Sequence, residues 1–321
     1  MLSPEDVSQF HRNGFLIIRN LFAGRELQLL REAAERVKDE GASGKGHDHW
    51  SREIEGQTVY FRSERLWSRD DIFQAAAVKP ELLGCIGQLF GQPFLPMNDS
   101  MVCKLPGGRV PVEWHQDPPY QGQNGWESTF GVPNFDVDIY LDETTEENGC
   151  VWVIPGHHLV GKVDISRFTE EALYRDHGAV PLCMRPGDVG LHALSVPHGS
   201  MGNASNKLRR ILFFHYVTRE VYDACYSGWM NHNGGYSSEG LAFVRGMLDK
   251  RSALGFDGID ERFVVWTENG FEFTGSPGTP PNHWRELIAR MPPEEVEMKR
   301  RLTWFPSTAA RTARSQRSTL Q

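Results

Sequence analysis

At 321 residues the chain is long for one average domain, yet a β-barrel with added helices fills that length, so a single domain over residues 1–305 is expected. Hydrophobic residues at 39% and charged residues at 24% suit a chain that buries a sizeable core, which excludes overall disorder. A net charge of −8 without a long run of Lys and Arg offers no footprint for nucleic acid or an anionic membrane surface, and neither is expected as a partner.

Ser3-Pro4-Glu5-Asp6 combines an N-cap serine, proline at the first helical position and an acid three residues after the cap, so a helix starts there and runs to about Arg12. These residues do not have the basic-then-apolar order of a secretory signal. No apolar run approaches the roughly 20 residues of a membrane span, and a cytoplasmic location is the expectation. Asn13-Gly14 ends the helix, and Phe15-Leu16-Ile17-Ile18 reads as a strand. From Gly24 to Lys38, apolar residues at Leu27, Leu30, Ala33, Ala34 and Val37 give the spacing of an amphipathic helix. Residues 39–58, glycine-rich and charged, read as an exposed loop, and Pro80 to Phe90 as a further helix.

From about 93 to 217 the texture becomes short β-rich segments between Gly, Pro and Asn signals. The expected strands are Ser100–Lys104, Val112–Asp117, Phe135–Leu141, Val151–Ile154, Val189–Leu191 and Arg210–Val217. Helices preceding a strand-rich centre make the class α+β with a mainly β core. Beyond Thr218 the pattern weakens into an extension over 219–305, with helices at Gly240–Lys250 and Asn282–Met291. Residues 306–321 read as a disordered tail. Cys85, Cys103, Cys150, Cys183 and Cys225 are odd in number and widely spaced, which argues against a disulfide framework and for small buried groups.

His115-Gln116-Asp117 places an imidazole and a carboxylate two residues apart, on one face of an extended strand. Alone this pair is weak evidence for a metal. A second element raises it: Val196-Pro197-His198-Gly199-Ser200 follows the turn Pro186-Gly187-Asp188, and Leu208-Arg209-Arg210 opens another apolar strand. Two histidines and one carboxylate form the facial triad that leaves three positions open on Fe(II). His192 and His215 remain rivals to His198 as third ligand.

The ordered set of His-x-Asp, Glu147-Asn148-Gly149-Cys150 leading into Ile154-Pro155-Gly156-His157-His158, Pro-Gly-Asp, His-Gly-Ser, and an arginine eleven residues after that histidine resembles the phytanoyl-CoA dioxygenase family, over about residues 5–217. The resemblance implies a double-stranded β-helix, a jelly-roll or cupin-like barrel with flanking helices. It also implies Fe(II), with 2-oxoglutarate and O2 as cosubstrates and succinate and CO2 as co-products. It makes His115, Asp117 and His198 the iron ligands and puts Arg209 and Ser200 on 2-oxoglutarate. Relatives that halogenate carry a small residue in place of the aspartate, and Asp117 occupies that position. Hydroxylation, desaturation or cyclisation of a small organic metabolite is therefore expected over halogenation.

Four further readings stand beside that set. Lys104, on the strand leading toward His115, is either an aid to 2-oxoglutarate binding or a lysine at a strand end. Asp138 stands where the family often has a bulky aromatic; on an alternating strand it shares a face with Asp136 and Tyr140 and is a candidate substrate residue if that face points inward. The polar stretch Gln121-Gly122-Gln123-Asn124-Gly125-Trp126 is a substrate lid or a surface excursion. Tyr222, Tyr226, Trp229, Tyr236 and Trp266 line a pocket, close over it or meet a second copy in a homodimer. A non-catalytic barrel that binds a small molecule or senses 2-oxoglutarate, and a cupin-like metalloenzyme using no keto acid, are the competing functions.

Overall fold

A computed structural model describes residues 1–117, 131–226, 232–275 and 283–303. The polar stretch 121–126, Trp229 and the tail 306–321 lie outside these residues. The N-terminal signals act as read. Helix α1 (Pro4–Asn13) is capped by Ser3, whose Oγ accepts from the Asp6 amide while the Asp6 carboxylate accepts from the Ser3 amide. It ends at Gly14, whose φ of 78° is open to glycine at little cost. Strand β1 (Phe15–Ile18) follows, then helix α2 (Gly24–Ala42).

Residues 39–58 are not a loop. Helix α2 continues to Ala42, and β2 (His49–Ile54) pairs with β3 (Gln57–Glu64) in a hairpin. Strand β2 buries none of its six residues, so it lacks the apolar alternation by which a strand is recognised. Helices α3 (Asp71–Ala77) and α4 (Pro80–Phe90) come next, α3 capped by Asp70.

The strands form two antiparallel sheets. The large one runs β1–β9–β6–β11–β4–β13–β12, with the β2–β3 hairpin joined to β4 through β3; the small one runs β5–β10–β7–β8. Their strands are β4 (Phe94–Lys104), β5 (Val112–His115), β6 (Phe135–Tyr140), β7 (Val151–Val153), β8 (Val180–Leu182), β9 (Val189–Ala193), β10 (His198–Ser200), β11 (Arg209–Thr218), β12 (Val264–Thr267) and β13 (Gly270–Phe273). The six strands read from the sequence are present, and β8, β10, β12 and β13 are additional. Gly187, at φ 88°, makes the turn before β9: its carbonyl accepts from the Phe22 amide, and a Cβ there would overlap the Phe22 carbonyl oxygen.

The central strands of the large sheet are buried on both faces. On β11, Phe214 packs on Trp67, and the Tyr216 hydroxyl donates to the Ala77 carbonyl at 2.7 Å, so this face meets the helices. Arg209, Phe213 and His215 face the other way, into a pocket between the sheets. The extension packs on this body. Strand β13 pairs with β4; α6 (Ser238–Ala253, after α5 at Glu170–Arg175) lies against α3; and Trp284 of α7 (His283–Arg290) donates to His11 Nδ1 at 2.6 Å. A short helix α8 (Pro293–Arg300) follows. Arg251 and Lys79 both bind buried Glu26, at 2.6 and 2.8 Å, tying α6, α4 and α2 together. None of the five cysteines is in a disulfide, and all but Cys183 are buried. Among the described residues no helix is long and apolar enough to cross a membrane.

Candidate active site

Strands β5 and β10 are neighbours, with His115 opposite His198 and their ring centroids 4.2 Å apart. Asp117 lies two residues beyond His115, where the chain leaves β5 and its amide donates to the Leu194 carbonyl. Its two carboxylate oxygens each stand 3.5 Å from one histidine Nε2, Oδ1 from His115 and Oδ2 from His198. Each ring also approaches a backbone carbonyl through Nδ1, His115 that of Glu113 at 2.8 Å and His198 that of Val196 at 3.0 Å. A carbonyl only accepts, so Nδ1 carries the proton and each Nε2 turns a lone pair toward Asp117. Burial, reinforced by His115 and His192, lowers the His198 pKa to about 3 and keeps it neutral. Two neutral imidazoles and one carboxylate within 4.8 Å of one another are the donor set of a non-haem Fe(II) site.

The pocket in front of these groups encloses about 930 Å3, its open mouth included, and takes its walls from both sheets. At one end lies Arg209, 1% exposed, whose Nε and Nη1 find no acceptor among the described residues. The Tyr140 hydroxyl, on β6 beside β11, is also buried without a partner. Orphaned buried donors are costly unless a ligand takes them, and a dicarboxylate suits a guanidinium fork. Ser200 lines the same pocket. The β11 register with β4 and β6 turns Arg209 inward and Arg210 outward. Arg210 is buried as well. It is 4% exposed and forks onto Asp142 through Nε at 2.9 Å and Nη2 at 3.0 Å, with Nη1 2.8 Å from Glu35. The helical layer covering that face buries it.

Lys104 stands opposite Arg209 but outside the pocket lining, its Nζ donating to the carbonyls of Val110 at 2.8 Å, Ser200 at 3.4 Å and Met201 at 2.7 Å. Burial, with Arg209 close by, lowers its pKa to about 6. Asp138 faces inward, as the alternation of Phe135–Tyr140 allows, yet it too stays behind the lining: its Oδ2 lies 3.0 Å from His192 Nδ1. His192 itself reaches the pocket, its ring centroid 4.7 Å from that of His198. Burial works against a charge on His192, but Asp138, Asp136 and Asp117 raise its pKa to about 9. A second group, Asp117, Asp136 and His192, is equally close, but one histidine and two carboxylates match the triad less well. His215 is engaged elsewhere, Nε2 on Asn134 Oδ1 at 2.7 Å.

Sequence reasoning placed Asp136 on the face of Asp138 without giving it a role and passed over Asn98, and both line the pocket, whereas Tyr140 stays behind the lining. Asp136 had a signal, its alternation with Asp138; Asn98 had none. Tyr226 lines the pocket, whereas Tyr222 and Tyr236 pack on each other, and Trp266 packs on Phe271.

Residues 10–211 match the sequence model of the phytanoyl-CoA dioxygenase family. A relative named "Probable alpha-ketoglutarate-dependent hypophosphite dioxygenase", from Stutzerimonas stutzeri, is 27% identical over 238 residues, covering 68% of this chain and 79% of that one. The crystal structure of AviO1 from Streptomyces viridochromogenes Tue57 is 26% identical and superposes with a TM-score of 0.55 over 68% of this chain and 96% of that one. EctD from S. alaskensis, solved with 2-oxoglutarate and 5-hydroxyectoine, shares the fold at 23% identity and a TM-score of 0.55, over 67% of this chain and 76% of that one. With well over half of its length in the family match, the chain belongs to the phytanoyl-CoA dioxygenase family.

Proposed function

We propose that this protein is an Fe(II)- and 2-oxoglutarate-dependent dioxygenase that hydroxylates, desaturates or cyclises a small organic metabolite, releasing succinate and CO2. The two sheets are read as the halves of a double-stranded β-helix, and the extension 219–303 as part of the same domain because it packs on that body. One observation carries the reading: two histidine Nε2 atoms converge on Asp117 in the pocket where buried Arg209 has an unpartnered guanidinium.

On this reading His115, Asp117 and His198 hold Fe(II), which when bound supplies the activation of O2 coupled to oxidative decarboxylation of the co-substrate. The protein does the rest by placement. The Glu113 and Val196 carbonyls orient the two imidazoles. Arg209, with Ser200 beside it, anchors the remote carboxylate of 2-oxoglutarate, and Tyr140 offers a further donor. Lys104 acts from behind, fastening the end of β10 through the Ser200 and Met201 carbonyls. Asp138 influences the substrate through His192 rather than by touching it.

The test is an anaerobic titration with Fe(II) and 2-oxoglutarate, followed by the visible metal-to-ligand charge-transfer absorption. The band is expected in the native protein and not in Asp117→Ala. No band in the native protein overturns the reading; a band with no succinate from any substrate supports the binding or sensing alternative.

A further inference from the structure

Inward positions of a buried sheet are ordinarily apolar, so a row of polar ones is informative. One rung of the large sheet is polar across four strands. His215 of β11 pairs with Asn98 of β4 on one side and Asp136 of β6 on the other, and Asp136 pairs with His192 of β9. All four line the pocket. The rung lies six residues along β11 from Arg209, about 20 Å in an extended strand, so it is remote from the co-substrate end.

Buried atoms of this rung are unsatisfied: Asn98 Oδ1, Asp136 Oδ1 and His192 Nε2 have no hydrogen-bond partner among the described residues. The amide oxygen only accepts, as does the carboxylate oxygen in its ionised form. Four carboxylates line the pocket, and three are accounted for. Glu64 lies 3.1 Å from Arg62; Asp99 binds His232 at 2.7 Å and the Trp67 amide at 2.8 Å; Asp117 belongs to the triad. Asp136 makes no ion pair with Lys or Arg among the described residues; its cationic neighbour is His192, and its buried Oδ1 still lacks a donor there. A buried carboxylate oxygen in that state is costly unless a ligand brings it a donor.

We propose that this rung is the substrate-recognition site and takes a small metabolite with a basic nitrogen, its N–H groups donating to Asp136 and Asn98. The inference rests on the dioxygenase reading and adds the substrate class to it. Because strands lie about 4.8 Å apart, the Cα atoms of Asn98 and Asp136 are roughly 10 Å apart across His215, which lets one ammonium or amidinium group reach both side chains. An anionic substrate would meet Asp136 and the Asn98 carbonyl with like polarity and is disfavoured.

The test uses three probes of one shape, cyclohexylamine, cyclohexanol and cyclohexanecarboxylate, titrated calorimetrically into the full chain. Saturating 2-oxoglutarate keeps the carboxylate probe from the Arg209 end. The amine is expected to bind about tenfold or more tighter than the other two, Asp136→Asn to abolish that preference, and Asn98→Asp to increase it. The second variant keeps the question decidable if the first folds poorly. Equal binding of the three probes, no saturable binding of the amine at millimolar concentration, or a preference unchanged in both variants overturns the proposal. The charge-transfer band separates the two claims: a band without amine preference sinks only the recognition rung, and amine preference without a band sinks the dioxygenase reading.

Discussion

Replacing Arg209 by lysine is expected to weaken 2-oxoglutarate while leaving the fold intact. The guanidinium is 1% exposed and its Nε and Nη1 have no acceptor among the described residues, so its proposed partner is the co-substrate carboxylate. Lysine keeps the charge but lacks the planar fork, so one of two charge-assisted hydrogen bonds is lost. Such a bond is worth about 1.5–3 kcal/mol, which raises the KM for 2-oxoglutarate by about 10- to 150-fold. Thermal stability should hold, since no protein contact of the fork is removed. Arg210→Lys is the control with the opposite signature. Its fork onto Asp142 and its contact with Glu35 are internal and buried, so losing them costs about 1.5–3 kcal/mol of stability and several degrees of Tm, with little change in KM. The assay is succinate formation against 2-oxoglutarate concentration, with thermal unfolding followed by circular dichroism. The reasoning is refuted if Arg209→Lys lowers Tm with KM unchanged, or if Arg210→Lys is the variant that loses 2-oxoglutarate.

Asp117→Ala should reduce turnover by more than about 100-fold, beyond the usual effect of losing a group that only supports a ligand; normal iron-dependent turnover would remove it from the ligand set. Asp138→Asn takes the carboxylate from His192 Nδ1, so the substrate KM should rise with the 2-oxoglutarate KM nearly constant; a change confined to 2-oxoglutarate would contradict this. Lys104→Met leaves the Val110, Ser200 and Met201 carbonyls without their donor, and unfolding should become easier by about 1–3 kcal/mol, as denaturant titration would measure; an unchanged midpoint would mean that water or a neighbour replaces the lysine Nζ donor. Gly187→Ala should destabilise by a comparable amount or more, because the backbone is left-handed there and the Phe22 carbonyl fills the space; wild-type Tm would argue against both causes.

Local chemistry made much of this protein legible in its sequence. The Ser3 capping box, the Gly14 stop and the apolar spacing of α2 act within a turn or two of themselves, so their meaning survives without tertiary context. The order His115, Asp117, His198, Arg209 stood in the sequence as a candidate set, and the fold brings all four to one pocket. The β2–β3 hairpin was not, because strands that bury little carry no alternation. On β11 the pattern was silent on which arginine turns inward: helices cover one face and the pocket wall forms the other, so Ile211 and Phe213 look no different from Leu212 and Phe214. Pairing with β4 and β6 supplied that choice, and the same pairing buried Arg210 against Asp142. The polar rung is the extreme case. Asn98, Asp136, His192 and His215 come from four strands far apart in the chain, and none is unusual where it stands. Only strand register sets them in one row and turns the Asn98 and Asp136 side chains into one pocket, a property of the assembled sheet rather than of any segment.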